Sequence, residues 1–130
     1  MQTKLSGRSP AHAPARAGKN IAIKVPIFRW DETVAFYRDT LGLPVKRTMT
    51  NSIGFEFGEM TLWIDRIAHQ SQVDVWLEVF VDDAGRAASS LKAAGVPVRD
   101  ELEPLDTVVG HWVSDPAGTI VLVREAKDGE

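Results

Sequence analysis

The chain contains no cysteine among its 130 residues. This absence excludes disulfide bonds, thiolate metal sites and a cysteine nucleophile. The sequence also lacks an apolar run long enough to span a bilayer, and no signal-peptide core follows Met1, so we expect a cytoplasmic protein without a membrane partner. Motifs for a phosphate loop, a zinc site, a nucleophilic triad or nucleic-acid binding are missing as well.

Basic residues are scarce after the first 19 residues. That stretch carries four basic side chains and no acid, which leaves 11 basic and 18 acidic side chains in the remainder, a net charge of −7. An acidic body argues against nucleic acid as a partner and mildly favours a cationic ligand. Charge repulsion that keeps the protein in solution explains the same imbalance without any ligand.

Residues 1–19 are rich in Ala, Pro, Gly and basic side chains and show no apolar period. We expect them to form a flexible tail, or a targeting remnant, that lies outside the fold. The apolar share of the whole chain, 44%, is ordinary for a globular protein. Residues 20–130 are therefore expected to form a single domain.

Alternating apolar residues and turn signals predict two helices, seven strands and the start of an eighth strand at Pro97-Val98. The helices cover residues 32–40 and 84–94, with Asp31 placed to cap the first and Asp82 or Asp83 to cap the second. The strands, in order, cover residues 20–25, 45–49, 52–57, 60–66, 75–81, 107–113 and 119–124.

The pattern of strand, helix and further strands occurs twice. Residues 41–46 read Leu-Gly-Leu-Pro-Val-Lys and residues 94–99 read Ala-Gly-Val-Pro-Val-Arg, so each helix ends in Gly and an apolar-Pro-Val-basic strand start follows. Two such copies are typical of a duplicated domain. The sequence therefore predicts an α+β fold of two βαβββ modules, residues 20–67 and 74–125.

Five segments of the chain resemble the vicinal oxygen chelate superfamily, which includes glyoxalases, bleomycin resistance proteins and extradiol dioxygenases. They are Ile-Ala-Ile-Lys-Val-Pro at residues 21–26, Ala-Phe-Tyr-Arg-Asp-Thr-Leu-Gly-Leu at 35–43, Val-Asp-Asp at 81–83, Leu-Lys-Ala-Ala-Gly-Val at 91–96 and Asp-Pro-Ala-Gly at 115–118. The resemblance implies that the two modules form a curved mixed sheet around a cleft, usually completed in a homodimer. It implies no function by itself.

Enzymes of this superfamily hold a divalent metal on the cleft side of four strands, and the resemblance carries those positions onto residues that bind metal poorly. They are Asn20, Trp63, Trp76 and Leu122. Divalent metals need several N or O donors within about 2.0–2.6 Å, which two indoles, a leucine and one amide do not supply. We predict no metal and no cofactor. A relocated site that uses Asp65 and Glu78 is the alternative, although it would lack a histidine.

Trp63 and Trp76 occupy equivalent positions in the two modules and should face each other across the cleft. Either they form an aromatic pocket that stacks a planar ligand, or they fill the cleft and close it. Charged residues whose side chains point to the same side of the strands as the two tryptophans favour the pocket. In a sealed core these charges could only pair with one another. The predicted ligand-binding residues are Asn20, Lys24, Trp63, Asp65, Trp76, Glu78, Phe80, His111, Leu122 and Arg124.

The duplicated fold, the lost metal positions, the two tryptophans and the acidic body together predict a protein similar to bleomycin resistance proteins. Such a protein would sequester an aromatic or amphipathic small molecule, cationic if the acid beside the indoles contacts it. The alternative is a glyoxalase-like lyase, isomerase or dioxygenase, with Glu78 and His111 as the catalytic candidates. A salt bridge of Glu78 and an edge-strand hydrogen bond of His111 explain the same residues without catalysis. A third hypothesis is an idle or regulatory subunit. The expected partners are the small molecule and a second copy of the chain.

Overall fold

The structure, a computed structural model, describes residues 14–130, which form one eight-stranded mixed sheet and two α-helices. The helices are α1 (Ile27–Ala35), which continues into a π-helical turn (Phe36–Thr40), and α2 (Ala84–Ala93). The strands are β1 (Arg16–Ala17), β2 (Asn20–Pro26), β3 (Val45–Met49), β4 (Ser52–Phe57), β5 (Met60–Ile67), β6 (Asp74–Phe80), β7 (Gly110–Ser114) and β8 (Ile120–Arg124). No helix among the described residues is long and apolar enough to cross a membrane.

The strand order, β3-β4-β5-β2-β6-β8-β7, repeats one arrangement in the two modules. In each module the first strand pairs in parallel with the last, β2 with β5 and β6 with β8. The modules meet where β2 runs antiparallel to β6, with Ala22 opposite Trp76. The predicted α+β fold is confirmed. The strand start expected after α2 is reduced to a single bridge between Val98 and Val113.

The prediction that residues 1–19 lie outside the fold is wrong for Arg16 and Ala17. These two residues form β1, which pairs with Phe80 and Val79 of β6. The Gly18 N–H then donates to the Glu78 carbonyl at 3.1 Å. A Cβ on Gly18 would lie 2.5 Å from the Glu78 carboxylate, so glycine permits this approach. Backbone pairing needs no apolar period, which is why the composition concealed it. Residues 1–13 lie outside the described part of the chain.

Helix α1 begins at Ile27 rather than after Asp31 as the sequence predicts. Pro26 ends β2 and takes the N-cap position, because its fixed φ suits the start of a helix. The Trp30 indole N–H donates to the Ile64 carbonyl at 3.2 Å and ties the first turn to the sheet. Helix α2 starts as predicted, since the Asp83 side chain accepts the Arg86 N–H at 2.9 Å.

Both helices cover the same face of the sheet, above two aliphatic clusters. The first cluster contains Val25, Val34, Ile53, Phe55, Leu62 and Ile64, and the second contains Val81, Ala84, Ala87, Val113 and Val123. The aliphatic side of β6 is only half covered, because Val75 and Leu77 are 42% and 41% exposed. A third cluster lies on the opposite face, where the site was expected.

Candidate functional site

The sheet face opposite the helices, called the cleft face below, carries every predicted binding residue except His111. Side chains alternate along a strand, so the registers of β2, β5, β6 and β8 bring these residues together. The same registers place Ala22 between Trp63 of β5 and Trp76 of β6. The two tryptophans, which the sequence predicts to face each other across the cleft, therefore lie on either side of β2, each one strand away from Ala22.

His111 lies outside the cleft face. In β7 it pairs with Val123 and alternates with Trp112, whose side chain does reach the cleft face. The His111 Nδ1 lies 2.7 Å from an oxygen of Asp100, and the other oxygen of that carboxylate accepts the Trp112 backbone N–H at 2.9 Å. His111 thus makes an edge-strand hydrogen bond, as the non-catalytic interpretation of this residue predicts. The expectation that it lies at the cleft is wrong.

The half of the cleft face that belongs to the second module is closed by a buried aromatic cluster. Trp76, Trp112, Ile120 and Leu122 are each less than 9% exposed, and the Trp76 and Trp112 rings meet edge to face with centroids 4.9 Å apart. A crossing segment, residues 99–109, packs Leu102, Leu105 and Val108 onto this cluster. The Trp112 indole N–H donates to the Glu103 carbonyl at 2.9 Å. Trp76 and Leu122 are therefore core residues, with the edge of Trp76 reaching one small groove.

Glu78 is buried in a network that uses both of its carboxylate oxygens. One oxygen accepts the Lys19 N–H at 2.8 Å and the Asn20 N–H at 3.2 Å, and the other accepts Arg124 Nε at 2.8 Å. The Asn20 side-chain amide donates to the same carboxylate. A general base needs a free lone pair near the substrate, which a 7% exposed carboxylate with these partners does not offer.

Arg124 completes this network beneath the surface. Its Nη1 donates to Glu130 at 2.9 Å, and its guanidinium lies 4.9 Å from the centre of the Phe80 ring. Burial opposes the charge of Arg124, but the hydrogen bonds to Glu130 and Glu78 outweigh it and hold the pKa of the guanidinium above its ordinary value. Phe80 is 3% exposed. Both residues are enclosed and hold the sheet together at this end.

Lys24 is a second buried cation, at the boundary between the two halves of the cleft face. Its ammonium lies 2.8 Å from Asp65 and 3.2 Å from Glu103, and 4.2 Å from the centre of the Trp76 ring. The Ser52 hydroxyl donates to the other oxygen of Asp65. Exposure of the three charged side chains rises from 5% for Lys24 and 15% for Asp65 to 41% for Glu103. Lys24 is therefore almost fully buried and paired with two carboxylates, of which that of Glu103 is the more exposed.

The half that belongs to the first module holds an open groove of about 510 Å³, called the Trp63 groove below. Trp63 is half-buried, and its indole N–H donates to Asn20 Oδ1 at 2.8 Å. A Cβ at Gly54 would lie within 3.0 Å of the Trp63 ring, so the absence of a side chain there lets the indole lie against β4. The lining is Ala22, Lys24, Met49, Asn51, Ser52, Trp63, Asp65, Arg66, Ile67, Glu103 and Thr107.

Two other grooves lie outside the Trp63 groove. One of about 350 Å³ lies beyond Glu103 and is lined by Trp76, Arg99 and Ile120 among others. A larger groove of about 670 Å³ lies on the helix face, between α1 and residues 71–73, with Ile23 and Phe28 in its lining. Its polar side chains include Thr33, whose hydroxyl already donates to the Arg29 carbonyl at 2.6 Å.

The fold of the chain is similar to the folds of several solved structures. Homoprotocatechuate 2,3-dioxygenases from Brevibacterium fuscum and Arthrobacter globiformis match 95% and 97% of the chain, with TM-scores of 0.65 and 0.63 and 15% and 19% identity. A Mn(II)-bound glyoxalase from Novosphingobium aromaticivorans matches 86%, with a TM-score of 0.61 and 22% identity. The chain has the vicinal oxygen chelate fold. It spans 40%, 41% and 40% of those three chains. No family model and no curated protein matches the sequence.

The residues of this vicinal oxygen chelate fold do not fit the divalent metal that the superfamily implies. At the four expected positions the Asn20 amide already binds Trp63 and Glu78, and the other three are indoles and a leucine. Among residues 14–130 no three His, Asp or Glu side chains are grouped to hold an ion. The acids of the relocated alternative, Asp65 and Glu78, each face an internal cation instead.

Several residues that shape the cleft face were not predicted from the sequence. The position of Gly54 opposite Trp63 follows from the hairpin register, although the sequence assigns it no role. Trp112 was missed because the sequence places its neighbour His111 at the cleft, and alternation then puts Trp112 on the other side of the strand. Glu103 and Thr107 lie in an irregular segment, where no period indicates which way a side chain points.

Proposed function

We propose that this protein binds a planar aromatic small molecule against Trp63, without a divalent metal, and sequesters it rather than transforming it. The observation that carries the proposal is the half-buried Trp63 indole, whose N–H is already satisfied by Asn20 while its ring lines a groove of about 510 Å³. An indole so bonded offers an apolar face for stacking, and a groove of about 300–1,000 Å³ suits a drug-sized ligand.

The closed half of the cleft face supports binding in the open half. Charges that would otherwise compete for a ligand are paired internally, and among residues 14–130 every buried side-chain nitrogen and oxygen has a hydrogen-bond partner. The buried residues of the aromatic cluster around Trp112 do not line the Trp63 groove, so binding there needs no rearrangement of that cluster. The same pairing argues against chemistry, because Glu78 has no free lone pair to accept a proton.

A glyoxalase-like lyase or a dioxygenase is the second candidate, and the names of the structural neighbours favour it. Such an enzyme needs metal donors that the four superfamily positions lack here. Metal analysis of protein purified without chelators separates the two functions. About one metal ion per chain would favour the enzyme, and a content far below one ion per chain favours sequestration.

Calorimetric titration with 2-naphthol, a neutral planar probe, tests the proposal. We expect saturable binding that weakens by about fivefold or more in Trp63→Ala, because an aromatic pair contributes about 0.5–1.5 kcal/mol beyond the contact area. Trp30→Phe on the helix face is the matched control and should bind like the wild type. Equal affinity in Trp63→Ala and the wild type would refute the proposed site.

A further inference from the structure

Glu103 separates the two grooves of the cleft face. It lines both the Trp63 groove, about 510 Å³, and the groove of about 350 Å³ beside Trp76. Its backbone carbonyl accepts the Trp112 indole N–H at 2.9 Å, which fixes the crossing segment on the second module. Its carboxylate reaches the other way, to Lys24 of the first module. Ile67 lines both grooves as well, so Glu103 and Ile67 lie where the two grooves meet.

The two carboxylates on Lys24 are held very differently. Asp65 is 15% exposed, lies 2.8 Å from the ammonium and also accepts the Ser52 hydroxyl. Glu103 is 41% exposed and lies 3.2 Å away, and within residues 14–130 its carboxylate has Lys24 as its hydrogen-bond partner. An exposed carboxylate loses little when it returns to water, whereas the buried ammonium loses a charged partner. Of the two carboxylates that contact Lys24, that of Glu103 is therefore the one that another anion can replace more easily.

We propose that the Glu103 carboxylate occupies the position of an anionic group of the ligand, so that the ligand is a planar aromatic molecule bearing a carboxylate or a similar anion. This inference rests on the proposed function and names the ligand class for the same site. The ring stacks on Trp63 and the anion replaces Glu103 on Lys24. Lys24 lies two residues along β2 from Ala22, the strand partner of Trp63, which is about 7 Å and matches the length of a two-ring acid.

The pairing of charges on the cleft face favours an anionic aromatic ligand over the cationic ligand that the acidic composition favours. Among the acids of the cleft face, Asp65 and Glu78 are each paired with an internal cation, and Asp74 accepts the Trp76 indole N–H at 3.2 Å. Exchanging one anion for another on Lys24 keeps the buried ammonium paired with two carboxylates. A cationic ligand would have to approach the buried ammonium without neutralising it.

Titrations with 2-naphthoate and its neutral analogue 2-naphthamide test the inference in the wild type and in Glu103→Gln. Removal of the competing carboxylate should tighten 2-naphthoate binding by about two- to fivefold, the value of a partly exposed ion pair, and change 2-naphthamide binding by less than about twofold. Glu103→Asp, whose shorter side chain no longer spans the gap, should shift in the same direction. Glu101→Gln is the control, since Glu101 bonds Arg99 on the same segment.

The outcomes separate this inference from the proposed function. If both probes bind the wild type alike and Glu103→Gln leaves 2-naphthoate unchanged or weaker, the stand-in role of Glu103 is overturned and the Trp63 site survives. If Glu101→Gln tightens 2-naphthoate as much as Glu103→Gln does, general surface charge explains the effect and the inference fails. If neither probe binds either protein, the proposed function fails together with it.

Discussion

Replacing Arg124 with leucine tests whether the second half of the cleft face is a closed core. The substitution removes the cation that pairs with Glu78, whose side chain is 7% exposed. Breaking a buried ion pair from one side costs about 3–5 kcal/mol, because a charge stays behind without its partner. Glu78 keeps hydrogen bonds from Lys19 and Asn20, so we expect the lower end of that range, about 3 kcal/mol. The pair with Glu130 adds little, since Glu130 is more exposed.

Urea unfolding followed by circular dichroism measures this cost, and a second substitution isolates its cause. Combining Arg124→Leu with Glu78→Gln keeps most of the hydrogen bonds but removes the buried charge. We expect the double variant to regain about 2 kcal/mol relative to Arg124→Leu alone. A loss below about 1 kcal/mol in Arg124→Leu, or a double variant no more stable than the single one, would refute the burial of this pair.

Three further predictions concern Gly54, Glu130 and Leu77. In Gly54→Ala the new Cβ would lie 3.0 Å from Trp63, so we expect a loss of about 1–3 kcal/mol in urea unfolding and weaker 2-naphthol binding; unchanged binding would contradict the packing described. The hydrogen bond from Arg124 lowers the pKa of Glu130, so its stabilisation is present above the unfolded-state pKa and fades as pH falls through the folded value. The stability gap between wild type and Glu130→Gln should therefore shrink in thermal unfolding between pH 6 and pH 3, by less than about 1 kcal/mol. Leu77→Glu on the open part of β6 should reduce the mass measured by light scattering if the expected homodimer uses that face; an unchanged dimer would place the interface elsewhere.

Strand alternation made much of the site predictable. The period of two in residues 20–25 and 75–81 correctly assigned Asn20, Trp76 and Glu78 to one face, since burial of the other face specifies the register. The replacement of metal donors by indoles follows from the resemblance, which carries the metal positions onto Trp63 and Trp76. The sequence predicts internal pairing of the cleft-face charges for a sealed core and an open pocket otherwise, and both Lys24–Asp65 and Glu78–Arg124 are paired.

Long-range backbone geometry could not be predicted from local patterns. The start of α1 depends on Pro26 and on the bond from Trp30 to β5, which a helical stripe counted from Val34 does not reveal. The role of Glu103 depends on how an irregular segment crosses the sheet, because its partner Lys24 lies 79 residues away in the chain. Contacts of this kind depend on the assembled fold.

Indole N–H signals in a ¹H–¹⁵N spectrum offer the most direct test of a metal-independent ligand site at Trp63. The chain has four tryptophans, and substitution of each by phenylalanine assigns its signal. When 2-naphthol is titrated into protein in a buffer that contains a chelator, we expect the Trp63 signal to shift most. The signal of Trp112, which is buried and hydrogen-bonded to Glu103, should stay in place. A spectrum in which Trp63 does not respond, or responds only after a divalent metal is added, would contradict the account.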